Sequence, residues 1–81
     1  MNHVLIVFGS LTTANKINKE LERKLRISSR VMQTPKNIPL KSCSYCLRIN
    51  SENLNKVWDF IKELDVYTKG VYSEGDYSKI L

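Results

Sequence analysis

The sequence predicts an α+β fold with the element order β-α-β-β-α-β, and three patterns predict it. His3–Phe8 is a nearly unbroken run of branched and aromatic residues, as in a strand buried on at least one side. Two segments carry apolar residues at helical spacing: Ala14, Ile17, Leu21 and Leu25, then Leu54, Val57, Trp58, Ile61 and Leu64. Three further segments alternate or are rich in β-formers. Neither helix can bury its stripe alone, but each can do so against one face of a four-stranded antiparallel sheet. That solution is the split βαβ, ferredoxin-like arrangement, with the first and third strands central and the second and fourth at the edges. It leaves the other sheet face open, a candidate surface for a ligand or for a homodimer.

The elements follow in order. Gly9 and Ser10 end the first strand, and Ser10, Thr12 or Thr13 can cap the first helix. Ile27, Ser29 and Val31 alternate with Ser28, Arg30 and Met32, as in a half-exposed edge strand. From 33 to 42 the pattern stops, because Pro35 and Pro39 each remove a backbone donor and bias the preceding residue away from helix. Tyr45, Leu47 and Ile49 alternate with Cys46 and Arg48, so a third strand starts near Ser44 or Tyr45. Asn50 or Ser51 caps the second helix, Asp65 ends it, and 66–72 forms the fourth strand around Gly70. The expected organisation is one domain over 1–81, with a core of about 3–72 and a tail at 73–81 that has no clear period.

Eighty-one residues lie near the lower limit for a domain held by one hydrophobic core. With 42% apolar and 26% charged residues, the composition is that of a globular protein. The apolar run at 4–8 is far too short to cross a bilayer, and no basic stretch precedes it as in a signal peptide, so no membrane association is expected. Cytoplasm is the expected compartment, where thiols stay reduced. The net charge of +5 is uneven: 16–48 holds nine basic residues against two acidic, and 49–81 holds four against six. Such a field favours an anionic partner, or simply keeps a small domain soluble.

The chemically richest segment is Lys41-Ser42-Cys43-Ser44-Tyr45-Cys46-Leu47-Arg48. Two cysteines separated by two residues can form a disulfide, share a soft metal, or act as attacking and resolving thiols. Along a strand, side chains three apart face opposite ways, so a disulfide requires Cys43 to lie in the loop. A structural zinc needs four ligands, and the chain offers Cys43, Cys46 and His3, so neither metal nor other cofactor is expected. Cys46 reads as a small hydrophobe on a sheet, with a resolving thiol as the alternative. Cys43 ends the proline loop near Lys41, and a neighbouring cation enlarges the thiolate fraction, about 3% at pH 7 for a free cysteine.

These residues carry a resemblance. The chain over 5–72 resembles the selenium/sulfur carrier-like family of small bacterial proteins, a domain of unknown function. The resemblance rests on Ile6-Val-Phe-Gly-Ser10, the early helical Ala14, Thr34-Pro35-Lys36-Asn-Ile38, Ser42-Cys43-Ser44 running into Arg48, and the closing Gly70-Val-Tyr72. Cys43 matches the family's recurrent cysteine. Cys46 stands where the family more often has alanine, and Ser44 replaces its usual glycine.

The resemblance implies a sulfur or selenium carrier or delivery protein in which Cys43 holds a persulfide or selenosulfide. Its partners would be a donor protein and an acceptor protein. The residues Thr34, Pro35, Lys36, Ser42 and Ser44 would form the presenting loop, and Lys41 and Arg48 would give electrostatic support. The competing reading is a non-catalytic protein- or RNA-binding module, with Phe8 and Tyr45 as aromatic candidates on the central strands. Nucleic acid is the weaker partner class, because the basic-aromatic signature of RNA-recognition domains is missing. A conventional enzyme is not expected: His3 stands alone, and Asp59, Glu63 and Asp65 make no catalytic pair.

Overall fold

The computed structural model describes residues 2–36, 38 and 44–81 of the chain. Among these, the first strand is β1 (His3–Phe8), followed by helix α1 (Leu11–Glu20), which runs on into a wider π turn at Leu21–Leu25. Strands β2 (Arg30–Gln33) and β3 (Tyr45–Asn50) come next. A 3-10 turn at Ser51–Asn53 leads into helix α2 (Leu54–Glu63), and β4 (Gly70–Ser73) completes the sheet. The strand order is β2-β3-β1-β4, every pair antiparallel. This is the ferredoxin-like arrangement, with both helices on one face and β1 and β3 at the centre.

Local chemistry sets the element ends. The Ser10 hydroxyl accepts from the Thr13 N–H at 3.2 Å, capping α1. Arg26 takes a left-handed conformation (φ 56°) that ends the π turn, a place where glycine is the commoner choice. Asn50 caps the 3-10 turn by accepting from the Glu52 N–H at 2.9 Å. Asp65, also left-handed (φ 55°), turns the chain out of α2.

Two apolar clusters sandwich the sheet. On the helix side Val4, Ile6, Phe8, Leu47, Ile49 and Val71 meet Ala14, Ile17, Leu21, Val57 and Ile61. On the other side Leu5, Val7, Cys46 and Tyr72 form a smaller cluster with Ile38, and Met32 and Tyr77 pack against it. That second cluster corrects the expected open face. Leu5, Val7 and Cys46 have no exposed surface, so the middle of this face is a second core rather than a bare sheet.

Other boundaries also depart from the periodic reading. The residues 27–29 precede β2 rather than belonging to it: Ile27 is buried in the helix-side core, and its N–H donates to the Leu21 carbonyl. Residues 66–69 precede β4; the Val66 N–H donates to the Ile61 carbonyl, which extends the helix exit. Leu64 is 37% exposed and lies off the buried stripe. Finally, the tail doubles back on β4. Tyr72 pairs with Lys79, and the Ile80 N–H donates to the Val71 carbonyl at 2.7 Å. A Cβ at Gly70 would stand 3.2 Å from both Lys79 Cε and Tyr72 Cε1, and its φ of 126° is open mainly to glycine, so this residue lets the tail approach.

Candidate functional site

Strand register decides which side chains share a face. Val7 and Met32 both stand opposite Cys46, while Leu5 and Arg30 stand opposite Arg48. Paired residues in an antiparallel sheet point the same way. Cys46 and Arg48 therefore lie on the face away from the helices, two positions apart, whereas Tyr45, Leu47 and Ile49 face the helices. Phe8 is buried and Tyr45 half-buried on that helix side, so neither aromatic offers a stacking platform on the outer face.

Around Cys46 the surroundings are dry and lined with hydroxyls. Ser44, just before β3, is buried at 2% exposure, and its hydroxyl donates to Thr34 Oγ1 at 2.8 Å. The Thr34 hydroxyl in turn acts on the Cys46 thiol, favouring its ionised form. The backbone ties the same strands together here, since the Thr34 N–H donates to the Ser44 carbonyl at 3.0 Å. Cys46 is a free thiol, and burial pushes its pKa from 9.0 up to about 11. The Thr34 hydroxyl opposes that rise, and the negative charge of Glu74 adds to it. At pH 7 a thiol with that pKa is ionised in about one molecule in ten thousand, some hundreds of times less often than an ordinary cysteine.

Next along the strand the face becomes charged. Arg48 Nε donates to both oxygens of Glu74, at 3.0 and 2.8 Å. Arg48 Nη2 lies 3.2 Å from His3 Nδ1, where the histidine nitrogen must act as acceptor because arginine has none to offer. The Glu74 N–H donates to the His3 carbonyl at 3.0 Å, which seats the carboxylate against both partners. Hydrogen bonding to Glu74 raises the Arg48 pKa, and the same bond lowers that of Glu74.

The structure thus joins Thr34, Ser44 and Cys46, and it holds Arg48 apart from them in an ion pair. Pro35 is half-buried, and its carbonyl accepts from the Ile38 N–H at 3.1 Å, which places Ile38 in the outer cluster; Lys36 is exposed. Cys43, Lys41 and Ser42 lie outside the described residues. Two participants escaped sequence reasoning. Glu74 sits in a segment with no periodic signal, and His3 reads as a strand start; their meeting with Arg48 depends on pairing between strands far apart in sequence. Among the described residues, no three His, Cys, Asp or Glu side chains gather as metal ligands, and no helix is long and apolar enough to cross a membrane.

Comparison with known proteins supplies what geometry alone does not. No curated protein and no solved structure matches the chain. A protein family does, over residues 3–73, a span that contains every strand, both helices, the proline loop and both cysteines. The chain belongs to that family, which is described as "Putative Se/S carrier protein-like".

Proposed function

We propose that the protein is a sulfur or selenium carrier in which the Cys43 thiol holds the transferred atom. Family membership supports the carrier role. The observation that carries the choice of cysteine is the burial of Cys46: its thiol stays protonated at neutral pH and has no exposed surface within the outer cluster. A thiol in that state is a poor nucleophile and a poor resolving group, because the thiolate is the species that attacks. Cys46 acts as packing, and Cys43 is the thiol left to do chemistry.

In this mechanism the Cys43 thiolate attacks the terminal sulfur of a persulfide on the donor protein. The donor's S–S bond breaks, the donor leaves as a thiolate, and Cys43 becomes the persulfide. An acceptor thiolate then attacks the outer sulfur and releases the Cys43 thiolate. Each step exchanges one S–S bond for another, so no net oxidant or reductant is needed. With selenium, the outer atom is selenium and the bonds exchanged are S–Se. Lys41, two residues before Cys43, favours the anionic form of the thiol and of the loaded cargo. The charge of Arg48 is already met by Glu74, which leaves Lys41 as the cation of choice for this role.

Intact-mass measurement after incubation with a persulfide-loaded donor, followed by peptide mapping, tests this reading. Wild type and Cys46→Ala are expected to gain one reducible sulfur on the peptide containing residue 43, and Cys43→Ser to gain none. Retention of the full gain by Cys43→Ser would overturn the assignment.

A further inference from the structure

The outer sheet face carries two arginines directly opposite one another, Arg30 on β2 and Arg48 on β3. Like charges so placed destabilise a sheet, and one carboxylate, Glu74, answers one of them. Arg30 is exposed and has no ion pair or hydrogen-bond partner among the described side chains. A cavity of about 390 Å³ opens beside the pair, lined by His3, Ser28, Arg30, Arg48, Asn50 and Asn53 among others, with no carboxylate in its lining. A second cavity of about 360 Å³ lies against the same two arginines, with Met32 and Glu74. The arginine pair thus forms a wall shared by both.

The polar groups of the first cavity favour a negative ligand. Arg30 presents a whole guanidinium, and Arg48 retains donors beyond those used on Glu74 and His3. With its Nδ1 accepting from Arg48, the His3 ring presents Nε2–H as a further donor. Ser28 adds a hydroxyl and Asn53 an amide. We propose that this end of the sheet binds a phosphate monoester, the phosphate lying between Arg30 and Arg48 and the organic part in the cavity. The whole guanidinium fork of Arg30, with the remaining Nη donors of Arg48 facing it, suits a group with several charged oxygens better than a single carboxylate. The cavity falls within the size of small-molecule sites and exceeds what a bare phosphate fills. The phosphate position at Arg48 lies two residues, about 7 Å, along β3 from Cys46, with the cavity extending toward Asn50, and the proposal does not depend on the carrier reading.

Backbone amide NMR on the full chain, at constant ionic strength, tests the proposal with methyl phosphate, inorganic phosphate and acetate as probes. Both phosphates should give saturable shifts centred on Ser28, Arg30, Arg48 and Asn53, with acetate clearly weaker. Arg30→Gln, an exposed edge substitution, should weaken methyl phosphate about tenfold, the effect of losing one charged hydrogen-bonding group. Arg23→Gln, at an exposed arginine on the π turn, should leave binding unchanged. Shifts that do not saturate, or equal losses in the two variants, would show general attraction to a basic surface and overturn the site. Tight Arg30-dependent binding of a single-stranded RNA without saturable methyl phosphate binding would overturn the small-ligand assignment as well.

Discussion

Cys46 and Arg48 stand two residues apart on one strand, face the same way, and live in different media. Cys46 is buried in a cluster with Leu5, Val7, Ile38 and Tyr72, its thiol held neutral. Arg48 sits half-exposed, its charge fixed by Glu74 and backed by His3. Sheet geometry gave them the same orientation, so strand position does not account for the difference. What separates them is what crosses above: the proline loop and the tail bring Ile38 and Tyr77 over one end, and no apolar segment among the described residues covers the other. A sheet face is therefore not one surface with one polarity. The segments that return over it divide it.

The division can be broken most forcefully at Leu5, which stands opposite both Arg48 and Tyr72. Leu5→Ala should lower stability by about 2–5 kcal/mol in urea denaturation, the range for an emptied core position. A loss within about 0.5 kcal/mol would mean that this face is solvated and that the second core does not exist.

A somewhat smaller effect lies in the alkaline range. The Cys46 thiol ionises near pH 11 in the folded chain and near 9 when unfolded. Between those values the unfolded state binds fewer protons, so stability falls as pH rises. The contribution is present in full below pH 9 and gone above 11, on the order of 2–3 kcal/mol. The difference between wild type and Cys46→Ala isolates it from the tyrosines and lysines that titrate nearby. Thr34→Val sharpens the test, since removing that hydroxyl should push the thiol higher still; an unchanged pH profile in Thr34→Val would detach Thr34 from the sulfur.

The smallest expected effect belongs to the charged end. Hydrogen bonding from Arg48 holds the Glu74 carboxyl below its ordinary 4.5. Its contribution is therefore present above pH 4.5 and lost as pH falls through the lowered folded value. Glu74→Gln should remove that acid dependence and reduce stability less than either change above, because a half-exposed pair is screened by water and salt. An effect as large as that of Leu5→Ala would show that the two ends are energetically one unit.

Much of this was legible beforehand, for definable reasons. β1, β3 and both helices announced themselves because their buried residues recur at the period of the element. β2 and β4 did not. Ile27 and Val66 carry the right residue type, yet they belong to helix exits whose bonds reach back to Leu21 and Ile61, a link made by backbone and invisible to side-chain pattern. The thiol environment was half legible: a cysteine within an alternating strand reads as buried, but the Ser44–Thr34 contact spans a ten-residue loop. His3, Arg48 and Glu74 come from three separate strands or their ends, and only the register brings them together.

The return of the tail onto β4 bears on how copies of this chain could grow into larger assemblies. Hydrogen bonding from residues 78–81 occupies the outer side of β4, while β2 has no strand beyond it among the described residues. With the β4 edge taken up, β2 is the strand edge of this sheet left to pair with another copy among the described residues. Pairing through β2 alone would join copies β2 to β2 as a closed pair, whereas pairing that also used β4 would permit an endless ribbon. The last few residues thus withhold the β4 edge from such growth, a contact that depends on backbone and on the missing side chain of Gly70 more than on any residue they display.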